Sequence, residues 1–155
     1  MNTALTIAAW LIFVCFGAAL SVIDIREHRM PNKLVMIAAV AGLGSVAMSS
    51  LSARDFGGLL RAVLGAAIVF AALLILALIA PTGLGMGDVK LGAVTGLYLG
   101  WLGWPWLFWG TFIGFALGAL WAVGLILLKR AKSSTPIAFG PFLILGVVVS
   151  AVLNI

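Results

Sequence analysis

Long apolar runs, separated by short groups of charged residues, prolines and glycines, occupy almost the whole chain of 155 residues. A bilayer core of about 30 Å requires roughly 20 apolar residues in a helix, which most of these runs approach or exceed. The breaks therefore predict an all-α, polytopic membrane protein with about six transmembrane helices. The predicted helices cover residues 3–23, 33–50, 57–80, 88–103, 105–128 and 136–154.

Composition agrees with the membrane interpretation, because 65% of the residues are hydrophobic and only 8% are charged. Soluble domains carry charge on about a quarter of their residues. Six spans leave no room for a soluble domain, so residues 1–155 are predicted to form one transmembrane domain. The single cysteine, Cys15, excludes an internal disulfide and a multi-cysteine metal site, and we expect it to be a small buried residue.

The basic residues predict how the chain is oriented in the membrane, because short loops rich in Lys and Arg stay in the cytoplasm. Of the five segments that connect the predicted helices, the second and fourth have only Arg54 and Arg61 in or near them. We therefore predict that the first, third and fifth loops are cytoplasmic and that both termini lie outside. The scattered charges form no continuous cationic face, which argues against nucleic acid as a partner. The basic residues near the three cytoplasmic gaps are Arg26, Arg29, Lys33, Lys90, Lys129, Arg130 and Lys132.

Small and aromatic residues predict how the helices pack. Two sets of three glycines repeat every four residues, which places each set on one helical stripe and indicates close helix packing. The sets are Gly92, Gly96 and Gly100, and Gly110, Gly114 and Gly118. Four tryptophans around Pro105 suit an aromatic belt at the outer interface. These are Trp101, Trp104, Trp106 and Trp109.

Two of the four acidic residues are candidates for catalysis, since an ionisable group near hydrocarbon is costly. Asp55 is expected to form a solvated pair with Arg54. Asp24 and Asp88 each adjoin a predicted helix end on the cytoplasmic side, although Asp88 could lie on helix 4 or in the preceding loop. Two adjacent carboxylates share one proton, so one can deprotonate water while the other protonates a peptide carbonyl. From spacing alone, a helix-capping aspartate is the commoner alternative.

The predicted helix ends also suggest an asymmetry within this pair. Asp24 would follow a helix C-terminus, whose partial negative charge disfavours a carboxylate, and Asp88 would precede a helix N-terminus, which favours one. We therefore expect Asp24 to hold the proton at rest and Asp88 to act first as the base. This carboxylate chemistry needs neither a metal nor a cofactor.

Several neighbouring residues are weaker candidates for the site. Gly85 and Gly87 are predicted to adopt backbone angles closed to other residues and to let substrate approach closely. Lys90 is expected either to hold a carboxylate or the bound peptide backbone, or to extend to lipid headgroups. Pro31 and Asn32 are predicted to end the first loop, with Asn32 as the cap of helix 2. The only histidine, His28, is expected to be solvated.

Three segments resemble the signature segments of the prepilin peptidases, the type IV leader peptidases of the Gly-x-Gly-Asp aspartic protease class. The resemblance implies that Asp24 and Asp88 are the catalytic pair. It also implies removal of a short basic leader from prepilins at the cytoplasmic face of a bacterial or archaeal membrane, with Glu27 a candidate to attract that leader. The segments are Asp24 to Asn32, Gly85-Met86-Gly87-Asp88-Val89-Lys90, and Pro136-Ile137-Ala138-Phe139-Gly140-Pro141.

The first loop separates this chain from the longer members of that family. Those members also N-methylate the new amino terminus with S-adenosylmethionine, and they carry a cytoplasmic insertion with paired Cys-x-x-Cys motifs. The predicted loop here has about nine residues and no cysteine. We therefore expect no methyltransferase insertion, and the chain resembles the short class that serves Flp/Tad-type pili. The expected partners are a prepilin and membrane lipids.

Two other functions remain compatible with the same residues. A small proton-coupled transporter or channel also uses membrane carboxylates. The absence of a convincing internal repeat and the placement of both aspartates at one edge argue against it. A membrane scaffold without catalysis would tolerate asparagine at both positions.

Overall fold

The computed structural model of the chain describes residues 3–27, 30–79, 84–128 and 138–154. Within these ranges the protein is built from six α-helices without a strand, which confirms the all-α prediction. The helices are α1 (Thr3–Glu27), α2 (Asn32–Ser52), α3 (Phe56–Ile79), α4 (Met86–Leu102), α5 (Trp104–Leu127) and α6 (Gly140–Leu153).

Four of the described helices, α1, α2, α3 and α5, are long and apolar enough to cross a membrane. The other two are shorter, with 17 residues in α4 and 14 in α6. At 1.5 Å per residue, α4 reaches about 25 Å, somewhat less than the hydrocarbon core. It is also the most completely buried of the helices, because α2, α3, α5 and α6 all pack against it. The fold is therefore that of a polytopic membrane protein with α4 at its centre.

The predicted end of helix 1 at residue 23 is wrong. α1 continues for another turn and ends at Glu27, so Asp24 lies within the helix rather than after it. Polar residues can extend a helix past the apolar run because its backbone hydrogen bonds are satisfied internally. The connection to α2 shortens to residues 28–31, and His28 and Arg29 lie outside the described residues.

The predicted start of helix 6 at residue 136 is not where α6 begins. Ala138 and Phe139 are not helical, and α6 starts at Gly140 with Pro141 in its first turn. A proline is favoured there because the first amides of a helix have no partner inside it. Pro136 and Ile137, like Lys129, Arg130 and Lys132, lie outside the described residues.

The first glycine stripe lies against α3, which confirms the predicted close packing. A Cβ added at Gly96 would overlap the carbonyl oxygen of Gly65, and one at Gly100 would overlap that of Arg61. A Cβ at Gly92 would overlap the side chain of Leu73. The α3 and α4 backbones therefore approach more closely than any larger residue at these positions permits. This contact fixes the height of α4, and hence of Asp88, against α3.

The second glycine stripe lies against α6. A Cβ at Gly114 would lie 3.0 Å from the carbonyl oxygen of Phe142, and a Cβ at Gly118 would overlap the ring of Phe139. From the opposite helix, a Cβ at Gly146 would overlap the carbonyl oxygen of Gly110. These contacts hold the first turn of α6 in place, which is the turn that reaches Asp24.

An aromatic cluster ties α1 to α4 at the end of the bundle remote from the aspartates. The Tyr98 hydroxyl donates a 3.0 Å hydrogen bond to the Ala9 carbonyl oxygen, and its ring lies 4.6 Å from that of Phe13. Trp101 stacks on Trp10 with 6.1 Å between ring centroids. Of the predicted tryptophan belt, Trp101 is thus half-buried in the bundle, whereas Trp104 and Trp109 are exposed.

Two further expectations about individual side chains are wrong. Cys15 is exposed on the surface of the bundle, not buried, because the core-facing stripe of α1 passes through Phe13 and Gly17. Asp55 does not pair with Arg54. Instead, Asp55 Oδ1 accepts a 2.7 Å hydrogen bond from the Gly58 amide in the first turn of α3, and Asp55 Oδ2 lies 4.0 Å from Arg61 Nη2.

Candidate active site

Asp24 lies in the last turn of α1 and faces the start of α6. Its side chain is only 6% exposed, although residues 25–27 beyond it are exposed. Asp24 Oδ2 accepts a 3.1 Å hydrogen bond from the backbone amide of Gly140, the first residue of α6. The first amides of a helix have no partner within it and favour an anion. The sequence separation of 116 residues shows that only the folded bundle forms this contact.

Asp88 lies in the first turn of α4, which decides between the two locations left open by the sequence. It occupies the third helical position, and its Oδ2 accepts a 3.3 Å hydrogen bond from the amide of Gly85, the residue that precedes the helix. The side chain is 9% exposed. Within the described part of the chain, the buried Asp88 Oδ1 has no hydrogen-bond partner. A buried oxygen without a partner is costly, so this atom is available to a proton, a water or a substrate.

The two carboxylates share the end of the bundle where α1 finishes and where α2, α4 and α6 begin. One side chain, Met30, packs both against Gly87, the residue before Asp88, and against Gly140, whose amide contacts Asp24. Each carboxylate is buried, and each accepts a hydrogen bond from an amide at a helix N-terminus. Two buried carboxylates in mutual reach do not both ionise easily, and a pair that holds one proton can act as acid and base together.

The structure changes the basis of the predicted asymmetry between Asp24 and Asp88. Asp24 does not sit beyond a helix C-terminus, because it lies inside α1. Its carboxylate instead meets the N-terminus of α6 through the Gly140 amide, as the carboxylate of Asp88 meets the N-terminus of α4. Both aspartates therefore receive stabilisation from a helix N-terminus, but Asp24 also lies in the last turn of α1, whose partial negative charge opposes that stabilisation. The helix ends act on Asp24 in opposite directions and do not decide which aspartate holds the resting proton.

The two glycines before Asp88 do not have the predicted backbone angles. Gly85 has φ −75° and ψ 148°, an extended conformation open to any residue, and Gly87 is not among the positive-φ glycines. What Gly87 provides is space. A Cβ added there would lie 2.7 Å from the Cβ of Met30, a residue of the α1–α2 connection. Glycine is therefore needed at position 87 because the start of α4 and the α1–α2 connection lie in close contact there.

The remaining predicted site residues lie around the start of α2. Asn32 is the first residue of the helix rather than its cap. Pro31 occupies the cap position, and its carbonyl oxygen accepts hydrogen bonds from the amides of Leu34 and Val35. Asn32 Oδ1 accepts a 2.8 Å hydrogen bond from Lys90 Nζ, which joins the first turns of α2 and α4. Glu27, at the end of α1, is exposed on the same side of the bundle.

Removal of the Lys90–Asn32 contact tests whether it links α2 to α4. We expect Asn32→Ala and Lys90→Met each to lower the free energy of unfolding by about 1 kcal/mol, because an exposed charge-assisted hydrogen bond contributes modestly. The double variant should be little worse than either single variant, since both remove the same contact. Thermal unfolding of the four proteins in detergent measures this coupling. Additive losses would show that the two side chains do not interact.

Two residues of the site were not identified as such from the sequence. Gly140 belongs to the Pro-x-x-x-Gly-Pro segment, which could have pointed to it, but no site role was assigned there. Met30 precedes Pro31 in the first signature segment and has no polar group that would draw attention to it. His28, another candidate of that segment, lies outside the described residues. Among the described residues, no group of three or more His, Cys, Asp and Glu side chains could hold a metal ion.

Fold and site together define a polytopic, all-helical membrane protein with two buried aspartates at one end of its bundle. The chain belongs to the type IV leader peptidase family, because the sequence model of that family matches residues 11–123. This range includes both aspartates. This finding confirms the family resemblance carried by the sequence segments.

Curated relatives support the same assignment. A protein of Escherichia coli (strain K12) is 33% identical over 146 residues, which cover 93% of this chain and 62% of the relative. A protein of Pectobacterium carotovorum is 34% identical over 155 residues, which cover 95% of this chain and 52% of the relative. A protein of Xanthomonas campestris is 33% identical over 140 residues, which cover 86% of this chain and 45% of the relative. All three are described as prepilin leader peptidase/N-methyltransferase. The chain spans about half the length of these relatives, and no solved structure matches it.

Proposed function

We propose that the protein is a membrane-embedded aspartic endopeptidase that removes the leader peptide from prepilins, with Asp24 and Asp88 as the catalytic pair. The observation that carries this proposal is the placement of both buried carboxylates at one end of the bundle, where each accepts a hydrogen bond from an amide at a helix N-terminus. Membership of the type IV leader peptidase family supports the substrate class. No cofactor or metal takes part in the proposed reaction.

In the proposed reaction, the carboxylate pair binds one water and holds one proton. The ionised carboxylate takes a proton from the water as its oxygen attacks the peptide carbonyl carbon, and the protonated carboxyl gives its proton to the carbonyl oxygen. The resulting diol collapses with cleavage of the C–N bond. The carboxyl that received the proton from water then protonates the departing amine, and the second carboxylate recovers a proton from the diol. The Asp88 Oδ1 atom, which has no partner among the described residues, is a suitable contact for the water.

We further propose that the site faces the cytoplasm and that both termini lie outside. Support comes from the basic residues, since Arg26 and Lys33 flank the α1–α2 connection and Lys90 lies beside Asp88, at the end of the bundle that holds the aspartates. Arg54 and Arg61 belong to the opposite end, near the start of α3. Short basic loops favour the cytoplasmic side.

We assign the substrate to the Flp/Tad-like prepilins. The support is the connection between α1 and α2, which spans only residues 28–31 and contains no cysteine. A connection of four residues leaves no place there for an inserted domain.

The test is cleavage by the purified protein in lipid vesicles. Wild-type protein and the double variant Asp24→Asn/Asp88→Asn are each incubated with a Flp-type prepilin, and mass spectrometry identifies the new amino terminus. We expect one cut that separates the leader, made by the wild type alone. A prepilin of the longer, methylated class serves as the comparison substrate. Equal cleavage by the double variant would exclude the aspartate pair, and preference for the comparison substrate would overturn the Flp/Tad assignment.

A further inference from the structure

The Met30 side chain closes the gap between the first turns of α4 and α6. Its Cβ lies 2.7 Å from the position that a Cβ on Gly87 would occupy, and its methyl group overlaps the position of a Cβ on Gly140. Gly87 immediately precedes Asp88, and the Gly140 amide donates to Asp24 Oδ2. Met30 therefore extends from the backbone beside one aspartate to the backbone that holds the other.

In this position, the Met30 side chain would collide with a peptide that contacts both carboxylates. General acid–base catalysis requires heavy-atom contacts of about 3 Å between the carboxylates and the reacting groups. Asp24 and Asp88 are 6% and 9% exposed, so a neighbouring group must move to admit a peptide bond. The Gly87 and Gly140 backbones are fixed within helices. Met30 is half-buried and unbranched, with three rotatable side-chain bonds, and can leave at low cost.

We propose that Met30 is a specificity-determining residue of the peptidase. In the free protein its side chain fills the space that the substrate side chain next to the cleaved bond takes in the complex. Substrate binding displaces the Met30 side chain. The displaced side chain remains beside the site, and it therefore limits the size of the substrate side chain that fits there. The two glycines serve this arrangement, because a side chain at 87 or 140 would collide with Met30. The inference rests on the proposed role of Asp24 and Asp88 as the catalytic pair.

Chemical labelling tests the covering of the aspartates without any proteolysis. Purified wild type, Met30→Leu, Met30→Val and Met30→Ala are treated in detergent with a water-soluble carbodiimide and glycinamide, and mass spectrometry follows each carboxyl. We expect Asp24 and Asp88 in Met30→Ala to react about tenfold faster than in the wild type, which corresponds to about 1.4 kcal/mol for uncovering the site. Met30→Val should be intermediate, and Met30→Leu should resemble the wild type.

Asp55 is the internal control, since its carboxyl is half-exposed at the other end of the bundle. Its labelling rate should be equal in all four proteins, which shows that they share one fold. If Met30→Ala alone changes the Asp55 rate, the comparison of Met30→Val with Met30→Leu decides the question. Equal labelling of the two catalytic aspartates in all variants would overturn the proposal.

Kinetics then test specificity. Two prepilins that differ only in the size of the residue before the cleaved bond are compared. Met30→Ala should lower KM for the bulkier substrate by about tenfold relative to the wild type, with little change in kcat, because the change acts on binding. A purely structural role would instead lower kcat equally for both substrates. If the wild type cleaves neither substrate, the proposed function fails, whereas the labelling result still decides whether Met30 covers the aspartates.

Discussion

Replacing either Asp24 or Asp88 with asparagine is expected to lower kcat/KM for prepilin cleavage by about 10²–10⁴-fold, the usual contribution of general acid–base catalysis. Asparagine keeps the shape of the side chain but cannot accept a proton from water. Because the two carboxylates act as one unit, the double variant should be hardly slower than the slower single variant. Initial rates for the wild type and the three variants, with product formation followed by mass spectrometry, measure this pattern.

The same substitutions should leave the fold intact, because asparagine still has a side-chain oxygen. At position 24 it can accept the hydrogen bond from the Gly140 amide, and at position 88 that from the Gly85 amide. Asp55→Asn is the matched control, since Asp55 also accepts a hydrogen bond at a helix start but lies at the other end of the bundle. It should cleave as the wild type does. A single Asp24 or Asp88 variant with wild-type rate would remove that residue from the mechanism.

The helices were predictable because the interruptions between apolar runs are sharp. Within each run, however, the sequence does not reveal which face is buried. A lipid-facing side and a core-facing side are both apolar, so the periodicity that marks buried positions in soluble helices is weak. The expected burial of Cys15 is therefore wrong, because the apolar run around it does not distinguish the core-facing side from the lipid-facing side. The small residues were more informative, since Gly96 and Gly114 do lie where helices meet.

The candidate pair was predictable because a carboxylate near the hydrocarbon core is energetically costly, so a carboxylate in such an apolar chain indicates a functional role. Its surroundings were not, since they depend on contacts between distant segments. Asn32 and Lys90 are 58 residues apart, and their hydrogen bond was not predicted. The sequence suggested a helix cap for Asn32, and for Lys90 either a contact with a carboxylate or the substrate backbone, or a contact with lipid headgroups. The argument for the proton assignment was incomplete for the same reason, and the assignment itself stays a prediction. That argument used the local helix ends, whereas Gly140, 116 residues from Asp24, provides the relevant amide.

Replacing Gly96 with alanine should produce a large loss of stability, because the added methyl group would meet the backbone of α3. The added Cβ would overlap the Gly65 carbonyl oxygen and lie 2.9 Å from the Val69 Cβ. Neither atom can move by side-chain rotation, so α3 and α4 must separate. Overpacking typically costs 1–3 kcal/mol, and we expect about 3 kcal/mol here because the obstacle is backbone. Equilibrium unfolding in mixed detergent micelles, followed by circular dichroism, measures the loss.

Gly44 provides the matched control, because it lies in the helix α2 and no atom beyond the adjacent backbone of that helix lies within 4 Å of the position of its Cβ. Gly44→Ala should be slightly stabilising, by about 0.5–1 kcal/mol, since alanine restricts the unfolded chain and favours a helix. Equal stability of the two variants would show that α3 and α4 do not approach as described. Any Gly96→Ala protein that remains folded should also cleave more slowly, because separation of α3 and α4 displaces Asp88 relative to Asp24, while Gly44→Ala should cleave normally.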